Sequence, residues 1–126
     1  MSRQTFILIV VIYGFLLGFS MTILPAEAVK FFGGEPKNIT EVNLMRFFGF
    51  LHLGFNFTGL TIRKSNDTKV VKAYLLGLAI VLFGSLGSAI YAVYGLNIPM
   101  HNTAAFDWSL WAILGAGSLY FWSKEK

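Results

Sequence analysis

His52 and Asn56 stand four residues apart in RFFGFLHLGFNFTGLTIRK (46–64), a run otherwise dominated by aromatic, aliphatic and glycine residues. On a helix that spacing stacks both side chains on one face, and Met45, Gly49, Gly59 and Arg63 fall on the same stripe. An imidazole beside a carboxamide can hydrogen-bond a ligand, relay a proton or tie neighbouring helices together. Gly84 and Ser88 form a small-xxx-small pair in a later apolar run and extend the candidate set. The candidate ligand-binding residues are therefore Gly49, His52, Asn56, Gly84 and Ser88, a small and polar inner face for a lipophilic ligand. Packing is the competing reading. Asn56 and His52 would then bond adjacent helices for about 1 kcal/mol each, and the glycines would mark close backbone approach.

Other chemistry finds little footing. Ser85, Ser88, His52 and Asp107 supply the residue types of a hydrolase, but no spacing joins them into a set. The P-loop and dinucleotide-binding glycine patterns are absent, and FFGGEP reads as a turn because no strand precedes it. With no cysteine, disulfides, thiolate metal sites and a cysteine nucleophile are excluded. A haem would need His52, expected near mid-membrane, to meet His101, which follows Pro99 in a connection; no cofactor and no metal site is expected. The net charge of +4 comes without a basic stripe or a base-stacking module, so nucleic acid is not an expected partner.

The elements that would position these residues follow from composition. Of 126 residues, 56% are hydrophobic and 13% charged, against about 25% charged in an ordinary soluble domain. A chain this small cannot hide so much apolar surface in its own interior. The expected fold is all-α: an integral membrane four-helix bundle, one four-span domain over 1–126, with helices at about 5–24, 44–62, 73–96 and 108–123. A cleaved signal peptide is the rival for the first run, since PAEA resembles a cleavage site, but Gly14 and Gly18 suit helix packing in lipid. A short amphipathic turn is expected at 26–32, broken by Gly33, Gly34 and Pro36, with Thr40 capping the second span. Arg3, then Arg63, Lys64, Lys69 and Lys72, then Lys124 and Lys126 fall on one side of a four-span arrangement. The positive-inside bias puts that side, and both termini, in the cytoplasm. Arg46 and Asp107, near the opposite boundary, are candidates for a salt bridge.

A first span ending in Pro25, the segment AEAVKFFGG, the polar lead NITEVNLMRFFGFLHLGFNFTGL and two further apolar runs together resemble a small four-helix bacterial membrane family, domain of unknown function 4345, which is DoxX-like. That resemblance implies the four-helix membrane fold and the bacterial inner membrane, and it implies no reaction. His52 and Asn56 depart from its tighter glycine cluster. The functional expectation is a non-enzymatic accessory or lipophilic-ligand-binding bundle, with membrane lipids and a homo-oligomer or larger membrane complex as partners. An oligomeric transporter or channel with His52 in its pathway is the alternative, and an enzyme acting on a lipid ranks third.

Overall fold

The structure, a computed structural model, describes residues 1–101 and 103–126. It is all-helical: α1 (Arg3–Ile23), α2 (Pro25–Phe31), α3 (Ile39–Ile62), α4 (Thr68–Tyr94) and α5 (Ala104–Lys124), with no strand among the described residues. The chain divides into two compact units, Met1–Arg63 and Lys64–Lys126. Two helices, α1 and α4, are long and apolar enough to cross a membrane.

In the first unit α1 and α3 run antiparallel. Phe15 meets Phe57 edge-to-face at 4.9 Å, and further along α1 Gly18 meets Leu53 and Gly49. The two helices interlock through small residues. A Cβ on Gly14 would overlap the Asn56 carboxamide, and one on Gly49 would stand 2.8 Å from Thr22 N and 2.9 Å from Gly18 O. Backbone therefore touches backbone, the arrangement small-xxx-small spacing permits. Pro25 opens α2, where its missing N–H is no loss. At the other end Gly33 takes φ 86°, a left-handed turn that favours glycine, and Gly34 N donates to Val29 O at 2.9 Å.

The second unit is a hairpin of α4 and α5. Val71, Tyr74, Leu75, Leu78 and Leu82 are buried on α4, and Leu114, Gly115 and Ser118 on α5. The Phe83 ring fills the space beside Gly115, where a Cβ would lie 2.9 Å from the ring edge.

Three helices begin earlier than hydropathy suggests. α3 starts at Ile39, not near 44, because Asn38, and not Thr40, is its cap: Asn38 Oδ1 accepts from Thr40 N at 2.9 Å. α4 starts at Thr68, not near 73, because Asp67 Oδ1 accepts from Lys69 N at 2.9 Å and Val70 N at 3.2 Å. α5 starts at Ala104, not near 108. Apolar runs mark where hydrocarbon would begin, whereas α3 and α4 begin where a side chain can take their orphaned N–H groups; α5 begins after Thr103 with no side-chain cap. Asp67→Ala is accordingly expected to fray the first turn of α4 at a loss of about 1 kcal/mol. Faster amide exchange at Lys69 and Val70 alone would register it.

Candidate functional site

The five residues singled out by sequence do not form one cluster within either unit. Gly49, His52 and Asn56 belong to the first, Gly84 and Ser88 to the second. Asn56 is 4% exposed, lies against Gly14, and donates from Nδ2 to His52 O at 2.7 Å. Gly49 lies against Gly18 and Thr22. Both residues thus occupy the α1–α3 crossing itself. His52 sits at its margin, half-buried, and Nδ1 donates to Phe48 O at 3.1 Å. A ring nitrogen spent on the carbonyl of its own helix helps fix the imidazole's orientation. On α4, Gly84 and Ser88 are exposed, and nothing within 4 Å would meet a Cβ on Gly84.

The stripe on α3 is nevertheless informative. Its buried residues are Gly49, Asn56 and Gly59, while Phe47, Phe48, Phe50, Leu51 and Phe57 are exposed. That order is inverted from a helix in water, which turns its large apolar side chains inward. Large apolar side chains gathered on the exposed face of one helix are uncommon in a protein surrounded by water.

A second arrangement lies at the start of α5. Asp107 Oδ2 accepts from His101 Nε2 at 3.0 Å and from Thr103 Oγ1 at 3.0 Å. The imidazole and carboxylate side chains are only 12% and 9% exposed. Asp107, in the first turn of α5, also sits where the helix dipole favours a negative charge. The trio fastens the connection after α4 onto α5. Arg46, expected from sequence to pair with Asp107, belongs to the first unit, where its Nη1 donates to Asn43 Oδ1 at 3.3 Å. Thr103 follows His101 by two positions and Asp107 follows Thr103 by four, a spacing around a helix start that could have signalled the cluster. Among the described residues no three His, Asp or Glu side chains converge as metal ligands would.

The feature that sequence reasoning missed altogether is a groove at the α1–α2 elbow. Its volume is about 300 Å³, and Leu17, Met21, Leu24, Phe31 and Phe32 give it an apolar wall over Ala28. Ser20 and Glu27 are its polar members. Ser20 Oγ donates to Leu16 O at 2.7 Å, so its oxygen keeps lone-pair capacity for a donor, and Glu27 pairs with Lys30 at 2.8 Å. Pro25 creates this elbow by starting a second helix directly after Leu24. An apolar trough with a hydroxyl and an ion pair among its neighbours can hold an alkyl chain and bond a polar head. Comparison with family models, with curated proteins and with solved structures finds no match to this chain.

Proposed function

We propose that the chain is a small multi-pass integral membrane protein that binds a lipophilic ligand and carries out no reaction of its own. The carrying observation is the groove at the α1–α2 elbow, whose about 300 Å³ matches the lower bound of small-molecule pockets, roughly 300 Å³. Its wall suits a lipid tail, and Ser20, Glu27 and Lys30 suit a head that both donates and accepts hydrogen bonds.

Membrane placement is supported by the inverted burial on α3 and by helix length. α1 and α4 have the required apolarity, and α3, with 24 residues, spans about 36 Å at 1.5 Å per residue. α5 has 21 residues, about 31 Å, with Trp108 and Trp111 toward one end and Trp122 toward the other, as in aromatic belts. In this reading α1, α3, α4 and α5 all cross, α2 lies in the interface, and the lysine-rich ends face the cytoplasm, as in a bacterial inner membrane. His52 and Asn56 then serve the α1–α3 crossing, and the ligand binds one helix away.

The test is photolabelling of the protein in bilayers with a diazirine-bearing acyl lipid, followed by peptide mapping. Label is expected on residues 17–32. Ser20→Trp, which fills the groove from an exposed position, is expected to reduce that label at least ten-fold with an unchanged far-ultraviolet dichroism spectrum. Label spread evenly over all helices, or unaltered by the tryptophan, would remove the proposal.

A further inference from the structure

Within the second unit, the start of α4 and the end of α5 come together. Thr68 Oγ1 donates to Lys126 O at 3.0 Å, and Lys72 Nζ donates to Glu125 O at 3.2 Å. Lys64, Lys69, Lys72, Lys124 and Lys126 are thereby gathered at one end of the hairpin, and all but Lys72 are exposed. Two of these ammonium groups rest on aromatic rings. Lys72 Nζ lies 5.0 Å from the Trp122 ring centre, and Lys124 Nζ lies 5.6 Å from that of Tyr120. Asp67, one of the two acids at this end, directs Oδ1 to the backbone N–H groups of Lys69 and Val70. The other end of the hairpin, from residue 95 through the first turn of α5 to residue 108, contains no Lys or Arg.

We propose that this end of the α4–α5 hairpin binds the phosphates of anionic phospholipids. The inference rests on the membrane placement argued above. Tryptophan and tyrosine settle at headgroup depth, so Trp122 and Tyr120 would hold Lys72 and Lys124 in the plane of the phosphates. The remaining lysines extend the same positive surface, and a zwitterionic headgroup would neutralise it less well than a net-negative one. Exposed amines alone would attract any anion; the aromatic rings beside them fix the depth at which this patch works and so select a bilayer phosphate over a dissolved one.

The decisive measurement is native mass spectrometry of the full chain released from bilayers of equal parts phosphatidylglycerol and phosphatidylcholine. Phosphatidylglycerol is expected to be retained in excess, and millimolar inorganic phosphate is expected not to displace it. Each exposed lysine contributes about five-fold near an anionic surface. Lys64→Gln, Lys69→Gln, Lys124→Gln and Lys126→Gln combined should therefore abolish the excess, while the four Arg replacements should keep it. Equal retention of the two lipids, a glutamine variant that keeps the preference, or displacement by phosphate alone would each overturn the proposal. Insertion into the bilayer without a lipid preference would leave the membrane placement standing, whereas failure to enter the bilayer at all would overturn both.

Discussion

Gly49→Leu is expected to separate α1 from α3 and destabilise the first unit by about 3 kcal/mol, at the upper end of what overpacking does. The reason is the hardness of what a side chain would meet. Thr22 N and Gly18 O are backbone atoms, 2.8 and 2.9 Å from the position of a Cβ on Gly49. No rotamer change relieves a contact with backbone, so the helices themselves must move. Asn56 would lose its place with them, because its carboxamide lies against Gly14 on the same crossing. Gly54 supplies the control. Nothing lies within 4 Å of where its Cβ would be, so Gly54→Ala is expected to stabilise α3 by about 0.5–1 kcal/mol through helix propensity alone. Unfolding of the detergent-solubilised protein by dodecyl sulfate, followed by circular dichroism, measures both. A Gly49→Leu transition that coincides with the unsubstituted protein's would show that α1 and α3 do not cross at Gly49.

Asp107→Ala is expected to be the second large effect. It removes the acceptor of two hydrogen bonds, from His101 Nε2 and Thr103 Oγ1, in a place where the imidazole is 12% exposed. Hydrogen bonds to a charged group contribute about 1.5–3 kcal/mol each, so a loss of about 3 kcal/mol is expected for the pair. Asp107→Asn keeps one carbonyl oxygen and should lose less than half of that. A double-mutant cycle between His101→Ala and Asp107→Ala isolates the contact, and about 1 kcal/mol or more of coupling is expected. Additive losses in that cycle would mean that the imidazole and carboxylate do not support each other. Amide exchange should rise at residues 96–101 and 103–105 before it rises in the middle of α4, because the trio secures the connection and not the hairpin.

Much of the helical framework is legible in the order of the residues. The elbow at Pro25, the short helix after it and the break at Gly33–Gly34 all rest on local backbone chemistry, and α2 with its glycine turn appears where that chemistry puts it. The starts of α3 and α4 are less accessible, although the capping residues Asn38 and Asp67 are in plain view. Hydropathy draws attention to the apolar boundary, and helices run past it for as long as a polar cap can be found. The stripe of Gly49, Asn56 and Gly59 is likewise visible as a spacing, and it is buried on α3.

The candidate site divides differently. Residue type alone brings Gly49, His52, Asn56, Gly84 and Ser88 together, but type does not say which small residue meets a neighbour. Gly14 and Gly49 are filled against by the opposing helix and Gly84 is not, a difference no spacing rule carries. Charge and depth single out Arg46 and Asp107, but not the neighbours each one bonds within its own unit, Asn43 and His101. The elbow groove is invisible in the sequence for the same reason: its wall joins the last turns of α1 to residues of α2, and only the angle between those helices opens a volume there.

By itself, then, the sequence determined the helical class, the order of the long helices, the short helix after Pro25 and the glycine turn that ends it. These depend on backbone preferences, caps and transfer energies, which each segment expresses locally. Tertiary structure alone decided that Asn56 serves a helix crossing, that His101 belongs to Asp107, and that an apolar trough opens beside Pro25. Those outcomes depend on which faces meet and at what distance, and contact distances between helices are set by the packing of both partners at once.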